Sequence, residues 1–210
     1  MLRANLQPWQ TFGLCLLIIN LPFSVKAMDL GPGEPCMAVK LGRLNGATAV
    51  LSRIGVEGRE IRITSASSLG LSLDFALTKH LYAGAVLDWH MRSNKYYLES
   101  RSAQWSSSTL ELGAQLKWLI SFGDGRYALR PGIGIGGGTG NYELLTLRAS
   151  AEFQASVSDQ NAIGLESGVW YVPVGTDDVY DIRIRPTFYL RAEFLFSIWS
   201  EKRSSLRSRR

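Results

Sequence analysis

The sequence is poor in the residues that build metal and redox sites. Its 210 residues include two histidines, His80 and His90, and two cysteines, Cys15 and Cys36. A structural zinc site needs about four Cys or His ligands at regular spacings, which this set does not offer. Two cysteines also exclude a small domain held together by several disulfides. The sequence therefore predicts no metal site and no cofactor.

Long apolar runs are equally scarce. The chain has one continuous apolar run, within residues 1–27. A polytopic helical membrane protein needs several runs of about 20 apolar residues, so that class is excluded. The single run follows Arg3 and ends at Ala27, which is typical of a secretory signal peptide cleaved after about Ala27. Asn20 and Pro22 interrupt the run and favour a signal peptide over a membrane anchor.

Excess charge of one sign is confined to the C-terminal tail. The net charge of +5 falls to +3 without Arg3 and Lys26, and residues 200–210 carry +4 of what remains. The body of the protein is therefore nearly neutral, which argues against a nucleic-acid partner. We predict a signal peptide at 1–27, a linker at 28–35, a barrel at 36–199 and a basic, solvated tail at 200–210.

What the body does contain is alternation of apolar and polar residues, the pattern of half-exposed β-strands. Helical spacing is almost absent after residue 36. Short links alternate with longer ones, as in an up-and-down barrel. The sequence predicts an all-β fold, an eight-stranded antiparallel transmembrane β-barrel. Asn45-Gly46 is a hairpin signal that leaves ten strands open, although we expect a bulge there. The predicted strands centre on residues 37–41, 59–77, 81–91, 110–120, 127–136, 145–155, 163–171 and 182–198.

Alternation alone does not reveal which face points outward. A soluble ligand-binding barrel would place the apolar face inside, and a membrane barrel would place it outside. Glycine, serine and charges of both signs share the polar face, as a crowded lumen requires. Aromatic residues on the apolar face suit the two membrane interfaces and favour the membrane alternative. These membrane-interface aromatics are Trp89, Trp118, Tyr127, Tyr171, Phe188 and Phe196.

With the polar face inside, six acids and seven bases enter the lumen. Unpaired charges are costly in so narrow a space, so these side chains should form ion pairs. The expected result is a closed lumen and not an open pore. The predicted charge network comprises Lys40, Asp74, Asp88, Glu111, Lys117, Arg130, Arg148, Glu152, Glu166, Arg183, Arg185, Arg191 and Glu193.

These features together resemble the small outer-membrane β-barrels of the OmpA-barrel/OmpX type. The resemblance covers residues 36–199 and rests on the signal peptide, the eight alternating strands, the short turns and a final aromatic strand. It implies the outer membrane of a Gram-negative cell envelope, with outer-membrane lipid and lipopolysaccharide as surroundings. It also implies recognition by the barrel-assembly machinery through the pattern from Phe188 to Phe196. The tail after Trp199 departs from the family, in which the aromatic residue usually ends the chain.

Two further alternatives to a structural or surface-interaction role remain open. A lipid A-modifying acyl hydrolase or transferase would use His90 and Ser93, with Asp88 on the face of His90. A narrow channel would require the charge network to rearrange. Residues 92–108 hold exposed aromatic and basic residues that suit host or cell-wall contact, or that simply extend the sheet. We predict a non-enzymatic role, with no catalytic residue assigned.

One apparent motif is discounted. Residues 132–137 match the G-x-G-x-x-G spacing of dinucleotide-binding loops. That motif works only between a strand and a helix, because the helix N-terminus holds the phosphates. No helical pattern follows Gly137. The glycines are instead expected to make room for arginine side chains of neighbouring strands.

Overall fold

The computed structural model describes residues 33–53, 56–98, 101–123, 125–140, 143–158, 160–176 and 181–198. Within these ranges no helix is long and apolar enough to span a membrane. The predicted signal peptide, the tail and most of the linker lie outside the described residues. The strands are β1 Pro35–Leu44, β2 Ala47–Arg53, β3 Val56–Ala76, β4 Leu81–Leu98, β5 Arg101–Trp118, β6 Ile120–Phe122, β7 Tyr127–Gly140, β8 Glu143–Ser156, β9 Asn161–Thr176 and β10 Asp181–Ser197.

These ten described segments form eight barrel strands. β1 and β2 are two halves of one barrel strand, because both segments pair with β3 on one side and with β10 on the other. Asn45-Gly46 interrupts this first barrel strand and does not start a new one. In the same way β5 and β6 both pair with β7. Pairing of β1 with β10 closes the sheet, and every described pairing is antiparallel. The predicted eight-stranded barrel is confirmed.

The two ends of the barrel differ. At the end that we call the turn end, short turns join β3 to β4, β6 to β7 and β8 to β9. The Thr78 hydroxyl oxygen accepts a hydrogen bond from the Leu81 amide at 3.0 Å. The Ser158 hydroxyl oxygen accepts one from the Asn161 amide at 3.0 Å. Gly123 and Gly125 have φ of 61° and 79°, which glycine adopts without strain. We call the opposite end the loop end.

At the loop end the sheet continues further than expected. Residues 92–107 were predicted to be a loop, but β4 and β5 stay paired from Arg92 opposite Ser107 to Leu98 opposite Arg101. The aromatic and hydroxyl-bearing residues of this segment favour strand conformation. The alternative that these residues extend the sheet is therefore confirmed. Side chains 93–106 lie outside the described residues.

The apolar face points outward. Leu41, Leu112 and Phe188 are 60–68% exposed, whereas Lys40 and Glu152 are fully buried inside the barrel. This arrangement is that of a membrane barrel and the reverse of a soluble one, so the soluble ligand-binding alternative is contradicted. The exposed apolar side chains form a belt that we call the apolar belt.

One part of β10 departs from the predicted alternation. Register shifts separate Ile182 from Ile184 and Ile184 from Thr187 in the pairing with β9. Arg185 and Pro186 are both exposed, so the facing of side chains reverses between them. Proline lacks the amide hydrogen that a ladder requires, and a bulge accommodates it. As a result, the two isoleucines point inward, opposite to the prediction from parity.

Several inward-facing glycines leave room for the side chains of neighbouring strands, and Gly84 is one of the tightest. A Cβ on Gly84 would lie 2.5 Å from the Leu73 carbonyl oxygen, whereas one on Gly137 would have its nearest neighbour at 3.9 Å. We expect Gly84→Ala to destabilise the barrel by roughly 1–3 kcal/mol through overpacking. Gly137→Ala is the matched control and should have little effect. Urea unfolding in lipid vesicles, monitored by gel mobility, gives the unfolding midpoint of each variant. Equal midpoints for Gly84→Ala and Gly137→Ala would contradict the close packing at Gly84.

Candidate functional site in the barrel lumen

The interior of the barrel holds one connected network of ionised side chains. All eight barrel strands contribute at least one inward-facing charged residue, and each of those residues is buried. Of the predicted network, eleven side chains face the lumen. These are Lys40, Asp74, Asp88, Glu111, Lys117, Arg130, Arg148, Glu152, Glu166, Arg191 and Glu193.

Two predicted members are placed elsewhere. Arg183 and Arg185 are exposed on the outer surface of β10, because the bulge reverses the facing of this segment. Arg185 pairs instead with exposed Glu60 at 2.5 Å. Their assignment to the lumen was wrong, since it extended the parity of Arg191 through Pro186 without an interruption.

Asp74 organises the network near the turn end. Its Oδ2 accepts from Lys117 Nζ at 3.0 Å and from Arg130 Nη2 at 2.9 Å, and its Oδ1 accepts from Gln115 at 2.7 Å. Lys117 and Arg130 also pair with Glu152. Residues of β3, β5, β7 and β8 are thereby joined across the lumen by charge-assisted hydrogen bonds, the stronger kind.

Lys40 connects the next group of acids. Its ammonium lies 3.0 Å from Glu152 Oε1, 2.9 Å from Glu166 Oε2 and 3.5 Å from Glu193 Oε2. The three carboxylates offer oxygens within 4.8 Å of one another, a spacing that could hold a metal ion. Because the Lys40 ammonium already stands among them, a second cation would be repelled. This cluster is therefore an ion-pair centre.

Arg191 carries the network toward the loop end. Its guanidinium donates to Glu166 at 2.8 Å and to Asp88 at 2.7 Å. Asp88 also pairs with Arg148, which reaches Glu111 at 2.7 Å. An unbroken chain of ion pairs thus runs from Asp74 near the turn end to Glu111 nearer the loop end.

Glu111 ends this chain and is fully satisfied. It accepts hydrogen bonds from the Thr146 hydroxyl at 2.6 Å and the Trp170 indole at 3.0 Å, and its Oε2 lies 3.3 Å from His90 Nε2. The carboxylate partner of His90 is therefore Glu111, and Asp88 is engaged by two arginines. The Ser93 side chain lies outside the described residues. The acyl-transfer alternative needs His90 and Ser93 within reach of each other, and it stays untested.

The lumen contains polar residues that the sequence analysis did not assign to it. Arg92 is buried with its guanidinium 4.4 Å from the centre of the Trp170 ring, a cation–π contact. Tyr189 donates to Glu166 at 2.7 Å. Arg92 shares the parity of Asp88 and His90, so strict alternation along β4 would have found it. The predicted loop at residue 92 hid that signal.

Apolar clusters lie on both sides of the ionic network. Toward the loop end, inward-facing side chains of six strands pack together: Leu44, Ala49, Ala66, Leu144, Trp170, Val172, Ile182, Ile184 and Tyr189. Toward the turn end a second cluster comprises Cys36, Ala38, Ala76, Tyr82, Ala162 and Leu195. Cys36 is thus a buried free thiol. The interior has three layers, in the order apolar, ionic and apolar.

Among the described residues, a small cavity lies beside the ionic layer. It measures about 10 Å³ and lies beside Glu111, Gln115, Lys117 and Arg148, next to the glycines of β7. That volume corresponds to roughly one water molecule. It is far too small for a continuous column of water.

The predicted membrane-interface aromatics lie on or beside the apolar belt. Trp89, Trp118 and Phe188 are exposed, and the other three are half-buried. Tyr127 stacks on Phe153 and on Phe122, with ring centroids 5.9 Å apart in both pairs. The assignment to a membrane interface remains a prediction for these side chains, which are Trp89, Trp118, Tyr127, Tyr171, Phe188 and Phe196.

Comparison with known proteins supports the fold. No protein-family profile and no curated protein matches the chain. Among solved structures, the outer membrane protein OprG from Pseudomonas aeruginosa aligns with a TM-score of 0.61 at 10% identity, over 83% of this chain and all of OprG. Neisserial surface protein A aligns with a TM-score of 0.48 at 11% identity, over 78% of this chain and 97% of the neisserial chain. The chain has the fold of the small outer-membrane β-barrels, as the resemblance implied.

The network predicts a strong effect of removing Lys40. Lys40→Met would leave Glu152, Glu166 and Glu193 without their shared cation, and breaking buried pairs in this way costs about 3 kcal/mol or more. Arg183→Gln is the control, since it removes an exposed charge that the sequence had placed in the same network. Urea unfolding of the barrel in lipid vesicles compares the two. If Lys40→Met lowers the free energy of unfolding no more than Arg183→Gln does, the role of Lys40 is contradicted.

Proposed function

We propose that this protein is an outer-membrane barrel with a closed lumen and a structural, surface-interacting role. The observation that carries the proposal is the three-layer interior, in which ionised groups lie between two apolar clusters. A conducting pore needs a continuous path of water, and the described interior supports no such path. The apolar belt supports contact with outer-membrane lipid along the sides of the barrel.

A structural role also explains why so many ionised side chains are buried in the lumen, where removing them from water is costly. Ion pairs buried between facing strands specify which strand lies opposite which, because a change of register separates every pair at once. Asp74 and Glu166 each bind cations from two other barrel strands, and Glu152 binds cations from three, so the network holds the circular order of the strands. We therefore propose a structural, non-enzymatic role for the lumen network.

The extended hairpin of β4 and β5 supports the surface-interacting part. Its paired backbone continues to Leu98 and Arg101 at the loop end, which is the cell-surface end in barrels with short periplasmic turns. Exposed strands of this kind can contact another cell, a host surface or the cell wall. The outward aromatic pattern from Phe188 to Phe196 supports recognition by the barrel-assembly machinery.

Planar-bilayer recording tests the closed lumen. We expect the folded protein, which migrates differently before and after boiling, to show no steady single-channel current at neutral pH. Stable current steps from the same heat-shifted sample would contradict the closed lumen and support the narrow-channel alternative. A porin inserted in the same bilayers serves as the positive control.

The hairpin itself is predicted to be dispensable for folding. Replacing residues 94–105 with a two-residue Asn-Gly turn removes paired backbone but none of the side chains that build the lumen network. The shortened protein should keep its heat-dependent gel mobility and its closed lumen. Failure to fold, with the parent protein folding under the same conditions, would show that the hairpin is part of the barrel core.

A further inference from the structure

Four arginines stand exposed on one side of the barrel, and we call them the basic strip. Arg43 lies on β1, Arg62 on β3, and Arg183 and Arg185 on β10. These strands are neighbours, because β10 pairs with β1 and β2, and both of those pair with β3. Adjacent strands are about 4.8 Å apart, so the outward side chains of β10, β1 and β3 belong to one surface.

Arg62, Arg183 and Arg185 lie beyond the apolar belt toward the loop end, whereas Arg43 lies at the edge of the belt, one outward ladder position closer to the turn end than Phe188. Arg43 is the next outward residue after Leu41, which is 60% exposed, and it is opposite exposed Leu190 in the ladder. On β10 the exposed residues after Phe188 are Pro186 and Arg185. Acyl chains covering the belt would therefore bring their head groups to the level of Arg62, Arg183 and Arg185, and the Arg43 side chain extends toward that level through its hydrogen bond to Ser65.

Most of the strip is not neutralised by the protein. Arg185 pairs with Glu60, and Arg43 donates to the Ser65 hydroxyl. Among the described residues, no carboxylate lies within 4.0 Å of Arg43, Arg62 or Arg183. Asp181 is also exposed on β10, two residues beyond Arg183 and further from the belt. Three of the four guanidinium groups thus have no acidic partner among the described residues.

Among the described side chains, the exposed bases toward the loop end lie on this one side of the barrel. On β7, β8 and β9, the first outward polar side chains past the belt include Thr139, Glu143 and Thr176, with no base among the described residues there. A general attraction to anionic head groups would need no such asymmetry. The segregation of bases indicates a site for a particular lipid.

We propose that the basic strip binds the phosphate groups of lipopolysaccharide in the outer leaflet, with its acyl chains lying on Leu41, Phe188 and Leu190. Guanidinium groups bind phosphate oxygens through two parallel hydrogen bonds, which favours arginine for this task. A glycolipid with several phosphates above several acyl chains matches both the charge and the apolar surface below it. This inference rests on the proposed outer-membrane placement, with the turn end toward the periplasm.

Binding of purified lipid A to the full-length folded protein in zwitterionic detergent tests the site. The test variant is Arg43→Gln/Arg62→Gln/Arg183→Gln, which leaves the Arg185–Glu60 pair intact. The matched control is Lys79→Gln/Arg126→Gln, which removes two exposed bases at the turn end. We expect the triple variant to lose roughly tenfold or more in affinity, because several charge-assisted contacts disappear. The control should bind as the parent does.

The ligand is varied in parallel. Bisphosphorylated lipid A should bind more tightly than its dephosphorylated form, and neither phosphatidylglycerol nor excess inorganic phosphate should displace it. Equal binding by the parent and the triple variant would overturn the site. Equal binding of phosphatidylglycerol would overturn selectivity for the glycolipid, and displacement by inorganic phosphate would reduce the strip to a general anion surface. An equal loss in the turn-end control would overturn its location.

Gel mobility and bilayer recordings on the same samples separate the two proposals. A protein that fails to form a heat-shifted, non-conducting barrel contradicts the proposed function itself. A folded, closed barrel that binds lipid A without regard to the arginines contradicts the basic strip alone.

Discussion

Ionised side chains inside a narrow barrel must be neutralised by one another, and much of this structure depends on that constraint. Water is too scarce in the lumen to solvate a lone carboxylate or ammonium, so each acid must meet a base from another strand. The barrel meets this need by sharing partners. Lys40 serves three acids, and Arg191 links Glu166 to Asp88. A change in the register of one strand would disturb several of these pairs together.

The same constraint explains the glycines that face the lumen. Long arginine and lysine side chains need room that a filled interior lacks, and glycine on a neighbouring strand supplies it. A Cβ on Gly70 would collide with the Asp88 carboxylate, and one on Gly132 would lie 2.9 Å from Lys117. The glycine-rich β7 is therefore the wall against which the charged side chains of β5 and β8 are placed. Its resemblance to a dinucleotide motif has no structural basis.

The bulge in β10 links the inside of the barrel to its outside. By reversing the facing of one short segment, it sends Ile182 and Ile184 into the apolar cluster that lies toward the loop end. The same reversal puts Arg183 and Arg185 on the outer surface above the apolar belt. Without it, Arg183 and Arg185 would enter the lumen on the loop-end side of Arg191 and displace the two isoleucines from that cluster. One irregularity thus completes the apolar cluster toward the loop end and supplies two arginines of the exposed basic strip.

The strand periodicity, the number of barrel strands and the outward face of most of them follow from the amino-acid sequence alone. Period-two alternation is a local property, so it survives in any arrangement of the strands. The composition of the polar face predicted the need for pairing, because opposite charges in similar number must share a closed space.

Only the tertiary structure decided which charge meets which, where the alternation reverses, and how far β4 and β5 extend. Those features depend on register between strands that are distant in sequence, such as Lys40 of β1 with Glu152 of β8. Alternation along one strand carries no information about its neighbour's register. A bulge at Pro186 changes the facing of β10 without changing the local pattern, which is why Arg183 and Arg185 were misplaced and Ile182 and Ile184 were assigned to the lipid.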